Sequence, residues 1–395
     1  MMQDYEIINA DCIEAMQEMP DGCVDAIVTD PPYGLAFMGA NWDHNVPSVA
    51  YWSECLRVAK SGAHLLCFGG TRTFHRLMCA IEDAGWEIRD TIMWVYGSGF
   101  PKSMDVGKAI DKALGAEHEK VPNPLAKKQT ASIGTNVYGD YNATTEIAPE
   151  PATDQAKEWD GWGTCLKPAW EPIIVARKPL DGTVAHNVMT YGTGAINIDG
   201  CMVPTIDVVL NHSRSADAAI SKGKYGDSSE QLSHQTNGQK LGRFPANLVH
   251  DGSQEVLELF PDSNGQQANV TGNEPSRPAD GVCYGEYNGR HEFAKRGDSG
   301  SAARFFYCAK ASKRDRGEGN DHPTVKPNAL MRWLVRLVCP QGGTALDPFM
   351  GSGSTGVACI QEGIRFVGID MEEHYCDIAN ARIYKETGMV FCENQ

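Results

Sequence analysis

The apolar run Asp25-Ala26-Ile27-Val28-Thr29 leads straight into Asp30-Pro31-Pro32-Tyr33. Ala26 to Val28 read as a short buried strand, and two prolines stop it at once. Neither proline donates a backbone hydrogen bond, and each fixes its φ near about −65°. The residue before each proline is pushed into extended geometry. The predicted product is a stiff, exposed turn at the C-terminal end of a strand. It presents the Asp30 carboxylate, carbonyls free of local N–H partners, and the face of Tyr33. Two acceptors beside an aromatic face suit the exocyclic amine of a planar base. The acceptors take the NH2 hydrogens and orient the nitrogen lone pair while the base stacks on Tyr33. An ordinary strand-to-loop Asp-Pro turn would have the same sequence.

Around that turn, strands and helices alternate. Residues 5–10 read as a strand followed by Asp11-Cys12, and 13–19 as a short helix closed by Pro20-Asp21-Gly22. Residues 49–60 read as a helix stopped by Ser61-Gly62, 63–68 as a buried strand ended by Gly69-Gly70, 71–84 as a helix and 87–96 as a strand. Such alternation predicts a parallel, doubly wound sheet. The segment 34–45, rich in Gly and aromatics, reads as a mobile loop beside the turn. Residues 106–114 read as a helix, and 119–160, polar and without period, as a flexible stretch. Residues 173–176 read as a strand that Pro172 consigns to the far edge of the sheet. Residues 180–319 hold short apolar pieces (195–198, 244–249, 303–308) among Gly, Ser, Asn and Asp, and are assigned to a separate lobe. There Arg304, Phe305, Phe306, Tyr307 and Lys310 mix aromatics with bases. The mix can stack on bases and grip phosphate, or be a core strand with a basic end.

A second strand-to-turn junction lies near the C-terminus. His322-Pro323-Thr324-Val325-Lys326-Pro327 punctuates the lobe's end, and 328–338 has amphipathic helical spacing. Ala345-Leu346 then leads into Asp347-Pro348-Phe349-Met350-Gly351-Ser352-Gly353-Ser354-Thr355-Gly356, which opens a helix over 357–361. Glycines let the backbone approach a ligand, and the helix N-terminus presents unpaired N–H groups. The next strand, 365–369, ends at Asp370, placed to accept from ribose hydroxyls, and a last helix covers 372–386. Gly351, Gly353 and Gly356 approach the dinucleotide fingerprint without matching it, so a nicotinamide enzyme is an alternative; a Gly-Lys-Ser/Thr phosphate loop is absent. Acids at Asp347 and Asp370, with no Arg or Lys in the loop, suit the cationic, phosphate-free nucleoside S-adenosylmethionine better.

Composition narrows the field. A chain of 395 residues allows one large α/β domain with a substantial insertion, or two domains. The net charge of −16 argues against non-specific nucleic-acid binding, since phosphates are neutralised by Lys and Arg. The charge is uneven, however. Lys102, Lys108 and Lys112, then Lys127 and Lys128, then Arg304, Lys310, Lys313, Arg314 and Arg316 leave room for a basic groove or a solvated surface. No apolar run approaches the ~18 residues of a membrane span, and residues 1–6 carry acids in place of a signal peptide's basic start. Thirteen scattered cysteines form no Cys-x-x-Cys pair and no Cys/His cluster, so they read as reduced thiols of a cytoplasmic protein with no metal site.

Asp30-Pro31-Pro32-Tyr33 resembles the catalytic motif of the DNA amino-methyltransferases that modify N6 of adenine or N4 of cytosine. The stretch from Ala345 to Asp370 resembles the S-adenosylmethionine-binding motif of the same family. Catalytic turn first, cofactor motif last and a lobe between is the order of its β group. His322 to Pro327 is similar to the family's motif preceding the cofactor helix, and Asp11-Cys12 sits where the family contacts the cofactor's adenine. The resemblance covers residues 4–115 and 160–387. It implies an α/β fold: a doubly wound, mostly parallel seven-stranded sheet with circularly permuted motif order and an inserted target-recognition lobe. The halves are then 1–178, with a flexible insertion at about 98–160, and 320–395, flanking a lobe at 179–319.

The activity implied is methyl transfer from S-adenosyl-L-methionine to N6 of a flipped adenine. The leading Asp favours adenine, and N4 of cytosine is the alternative. The resemblance assigns Asp30, Pro31, Pro32 and Tyr33 to catalysis. It assigns Asp11, Cys12, Thr324, Lys326, Asp347, Phe349, Gly351, Ser352, Gly353 and Asp370 to the cofactor, and it needs no metal. DNA is the implied partner. A homodimer is an option by resemblance, and a restriction-endonuclease partner is not readable from the sequence. An inactive DNA-binding module would carry damaged motifs, and both are whole here. RNA adenine stays open as a substrate; glutamine is disfavoured, because its methylation in related folds uses Asn where Asp30 stands. One geometric consequence follows: Asp30 and Asp347 must reach the same sheet edge.

Overall fold

The computed structural model describes residues 4–35, 44–99, 103–116, 121–122, 146–147, 150–205, 211–214, 231–234, 240–263, 299–310 and 312–393. Lys102, Lys127, Lys128 and most of the 34–45 and 119–160 segments lie outside the described residues. The chain divides into two units. One comprises Met1–Gly97, Trp170–Glu318 and Val325–Gln395; the other comprises Ser98–Ala169 and Gly319–Thr324.

The described strands are β1 (Tyr5–Asn9), β2 (Val24–Thr29), β3 (Ala59–Phe68), β4 (Glu87–Val95), β5 (Val121–Pro122), β6 (Glu146–Ile147) and β7 (Trp170–Arg177). They continue with β8 (Asn211–Arg214), β9 (Gln231–His234), β10 (Leu248–His250), β11 (Tyr307–Cys308), β12 (Thr344–Asp347) and β13 (Arg365–Asp370). Nine of them form one sheet in the first unit, in the order β1-β13-β12-β2-β3-β7-β4-β10-β11. All neighbours are parallel except β7, which runs against both β3 and β4.

Period-2 alternation splits the sheet between two cores. Ala26, Val28, Leu66 and Phe68 face one core with Leu330, Leu334, Val357 and Ile383 of the helices Asn328–Val338, Ser354–Gln361 and Glu373–Glu393. Ile27, Leu65 and Cys67 face the other with Met16, Trp52, Cys55, Leu77 and Ile81 of the helices Cys12–Gln17, Val49–Val58 and Phe74–Asp83. Helices on both faces of a mostly parallel sheet make the first unit doubly wound.

Several expectations change. The sheet has nine strands, because β10 and β11, from the stretch read as a separate lobe, extend its edge beyond β4. β7 lies inside the sheet, not at its far edge. Pro172 is tolerated there because its carbonyl accepts from Gly69 N–H at 3.0 Å, so its donor-less nitrogen faces the end of β3, where the ladder stops. The helix expected over 49–60 ends at Val58, and Ser61-Gly62 lies within β3. Gly62 there has φ 75°, beside the register shift between β2 and β3. Arg304 turns inward: its guanidinium donates to the carbonyls of Gly300, Ser301 and Ser263 and lies over the Phe305 ring.

From β12 the chain passes to β13, and from β2 to β3, in opposite directions along the sheet. The crevice beyond the carboxyl ends of β12 and β2 is therefore a topological switch point, where open α/β sheets bind ligands.

The second unit holds the helices Val106–Leu114 and Asp154–Glu158. Asp105 caps the first by accepting from Lys108 N–H at 3.0 Å. Buried Asp111 accepts from Ala152 N–H at 2.8 Å and from the Thr153 hydroxyl at 2.7 Å, which fixes the start of the second helix.

The approach of the last two helices depends on Gly356. A Cβ there would meet Ile383 Cδ1 and stand 2.7 Å from Phe366 Cε1. Gly356→Val should destabilise the chain by about 1–3 kcal/mol through overpacking. A fall in the urea midpoint checks this, and an unchanged midpoint contradicts it.

Candidate active site

β2 is buried along its whole length and delivers Asp30 to the carboxyl edge of the sheet. Pro31 is buried and Asp30 partly so, which makes the turn less exposed than its sequence predicts. Gly70 leaves room for it: a Cβ on Gly70 would stand 3.3 Å from Tyr33 Cβ.

Both Asp30 oxygens have partners. Tyr33 Oη donates to Oδ1 at 2.7 Å, and Lys326 Nζ donates to Oδ2 at 2.6 Å. Lys326 Nζ also lies 3.4 Å from Glu171 Oε2, and Tyr33 Oη lies 3.3 Å from the same oxygen. The Phe68 ring lies 4.8 Å from the ammonium, centroid to nitrogen. Burial alone would lower the Lys326 pKa; the charges of Asp30 and Glu171 outweigh it and hold the group above 10.5. Burial, then the same two carboxylates, pushes Tyr33 well above its ordinary value. Two carboxylates, one ammonium and one neutral phenol leave a net negative charge.

The other junction stands beside it. Asp347, only 2% exposed, closes β12 and is held by three donors: Thr29 Oγ1 at 2.7 Å, Thr355 Oγ1 at 2.6 Å and Phe349 N–H at 3.1 Å. Burial raises its pKa to about 6 against the pull of those donors. Gly351 and Gly353 take φ 52° and 76°, the left-handed region that a β-carbon resists. Gly353 stands at the N-cap of the Ser354–Gln361 helix. Asp370, at the end of β13, accepts from Gly351 N–H at 2.8 Å and from Glu372 N–H at 2.9 Å. Arg382 donates to the Ser352 carbonyl and, at 2.9 Å, to its hydroxyl. Phe349 packs 5.8 Å from Tyr51 and 6.3 Å from Trp52, centroid to centroid. Asp11 follows β1 and caps the next helix, accepting from Ile13 N–H at 2.9 Å. Cys12 is a buried neutral thiol, its pKa pushed up to about 12 by burial and then by Asp11.

β1, β13, β12 and β2 are successive parallel neighbours, so Asp11, Asp370, Asp347 and Asp30 all arrive at one edge. The structure thus gathers most of the expected site residues along that edge. Lys326, expected at the cofactor, is bonded to Asp30. Thr324 belongs to the second unit, beside the His322 ring. Glu171, Thr29, Thr355 and Arg382 were not singled out by sequence; only the Glu-Pro pair at Glu171 offered a signal. Among the described residues no group of His, Cys, Asp and Glu could hold a metal ion, no helix is long and apolar enough to cross a membrane, and the cysteines are free thiols.

This geometry can be set beside known proteins. The N6/N4 methyltransferase family model, described as DNA methylase, matches residues 24–381, and the chain belongs to that family. The Type II methyltransferase M2.DpnII of Streptococcus pneumoniae is 33% identical over 96 residues, 24% of this chain and 36% of its own length. The Type II methyltransferase M.SfiI of Streptomyces fimbriatus is 46% identical over 57 residues, 14% of each chain. The chain thus aligns with about a third or less of the length of these curated relatives. The crystal structure of the M1.HpyAVI–SAM complex is similar at 15% identity and a TM-score of 0.40, covering 96% of this chain and 98% of that one. TTHA0409 from Thermus thermophilus is similar at 12% identity and a TM-score of 0.44, covering 97% and 96%.

Asp347 makes stability depend on pH. Its folded pKa of about 6 exceeds the ordinary 3.8. The folded chain therefore holds a proton that the unfolded chain releases, so this group's stabilisation is full below 3.8 and lost as pH rises through about 6. Relative to Asp347→Asn, the native chain should lose on the order of 1–3 kcal/mol between about pH 4 and about pH 7. Urea unfolding of both across that range checks this; parallel pH curves contradict it.

Proposed function

We propose that this chain transfers a methyl group from S-adenosyl-L-methionine to N6 of an adenine flipped out of duplex DNA. The observation that carries the reading is the meeting of the Asp30 turn and the glycine turn at neighbouring parallel strand ends, on either side of a switch point. The DNA methylase family model and the Type II methyltransferase relatives support DNA as the substrate.

The donor set suits the cofactor. Gly351-Ser352-Gly353 brings backbone close to a ligand, and Asp11, Asp347 and Asp370 surround the strand ends with negative charge. Those groups, with Cys12 and Phe349, would hold the nucleoside. When bound, S-adenosylmethionine supplies a methyl group made electrophilic by a sulfonium.

The chain's own residues do the rest. The Asp30 carboxylate and the Pro31 carbonyl accept the amine hydrogens, which aims the nitrogen lone pair at the cofactor side. Each carboxylate oxygen keeps a spare lone pair although Tyr33 and Lys326 already donate to it. Tyr33 offers the stacking face, and Pro32 keeps the turn rigid. Catalysis here is positioning of a neutral nucleophile in a site of net negative charge.

Asp30→Ala should lower single-turnover methyl transfer by about a thousandfold or more, with S-adenosylmethionine affinity, read by calorimetry, within about threefold of native. Retained transfer would sink the assignment. Mass spectrometry of nucleosides from the methylated DNA should show N6-methyladenine; N4-methylcytosine would replace the adenine reading with the cytosine one.

A further inference from the structure

Glu171 has no task in the reading above, yet it sits within the Asp30 cluster. It is the second residue of β7, paired in register with Trp94 of β4. β7 is antiparallel to its neighbours, so its first residues lie at the edge where β2 and β3 end. A parallel strand in that place would bring its last residues there. The reversed strand is what carries Glu171 to the Asp30 turn.

We propose that Glu171 is a positioning residue: by holding Lys326, which touches both Asp30 and the Tyr33 hydroxyl, it fixes the Asp30 carboxylate in the orientation that accepts from the target amine. The proposal rests on the methyl-transfer reading. Lys326 spans two elements, with Asp30 Oδ2 at 2.6 Å from the β2 turn and Glu171 Oε2 at 3.4 Å from β7. Tyr33 Oη gives its one proton to Asp30 at 2.7 Å and accepts from Lys326 Nζ at 3.3 Å, with Glu171 Oε2 3.3 Å away. Lys326 is therefore fixed from two sides and holds one oxygen of Asp30, while the Tyr33 hydroxyl it touches holds the other. With Asp30 alone, the ammonium could swing about a single bond and take the carboxylate with it.

The charges point the same way. The groups facing Lys326 are Asp30 and Tyr33 from the β2 turn, Glu171 from β7 and the Phe68 ring from β3, where the Cys67 thiol also lies near Tyr33. Lys326 is 8% exposed, so its ammonium depends on its acids. Removing the Glu171 charge leaves one acid against the full effect of burial. The Lys326 pKa must then fall, and a neutral amine holds Asp30 far more weakly.

Glu171→Gln keeps the shape and removes the charge. Two readouts on the full chain test it. The first needs neither cofactor nor DNA: the side-chain nitrogen resonance of Lys326 in lysine-labelled protein, assigned with Lys326→Arg. In the native chain the ammonium should persist beyond 10.5; in Glu171→Gln it should be lost at about one pH unit lower or more.

The second is single-turnover methyl transfer. Glu171→Gln should be slower by about ten- to a hundredfold, with cofactor affinity unchanged, and slower still as pH rises through the range in which its Lys326 loses the proton, where the native rate is flat. Glu171→Asp keeps the charge and should recover pH independence and part of the rate. A Lys326 titration that does not move, or a Glu171→Gln rate within about twofold of native, overturns the proposal. A uniform rate loss with no pH dependence also overturns it, since a merely structural defect gives that. A native chain that methylates no DNA refutes the methyl-transfer reading, and the Lys326 titration then decides alone whether Glu171 holds the cluster.

Discussion

The seam between β2 and β12 is the constraint on which the site depends. Only Ala26–Ala345 and Ile27–Leu346 pair across it, between strands from opposite ends of the chain. Side chains fasten the seam at both ends. Asp25 accepts from Thr344 N–H at 2.8 Å where the strands begin, and Thr29 donates to Asp347 at 2.7 Å where they finish. Each bond is modest, about 0.5–1.5 kcal/mol net. Their value is in register: they bring the proline turn and the glycine turn out together on one edge. Thr355 extends the fastening into the Ser354–Gln361 helix by donating to the other Asp347 oxygen.

The charges at that edge are not arranged for stability. Buried ion pairs recover little once desolvation is counted, and Asp347, buried with its carboxyl pushed up to about 6, stands against the fold near neutral pH. What the arrangement does is place negative charge along four successive strand ends, with one ammonium set against two acids at the proline turn. An edge of that kind suits a cation beside a hydrogen-bond acceptor. A phosphate-bearing nucleotide would meet repulsion there. Functional sites commonly keep such costs where the surrounding fold can carry them.

Much of this was legible in the sequence because the signals are local. Aliphatic runs ended by Pro or Gly mark β2, β3 and β12, and the Asn328–Val338 helix follows its apolar period to the residue. What escaped depends on long-range placement. Pro172 reads as an edge residue, but its missing donor faces the end of a neighbouring strand, and nothing local reveals that. Glu171 reads as one more acid, because its role comes from the antiparallel direction of β7. β10 and β11 have three and two residues, too few to show a period. Asp11, Asp347 and Asp370 look from sequence like groups awaiting a ligand. In the fold they also accept N–H groups from their own turns, an inward duty that only coordinates reveal.

The central claim is that both turns open onto one crevice. Its most direct test is a crystal structure of the chain with an S-adenosylmethionine analogue whose amine replaces the sulfonium methyl. The account predicts that amine within about 6 Å of the Asp30 carboxylate, the reach left by one hydrogen bond and one in-line methyl transfer, with the nucleoside along Gly351 to Gly353. An analogue bound with its amine more than about 10 Å from Asp30 would contradict it, since no target nitrogen could then touch both.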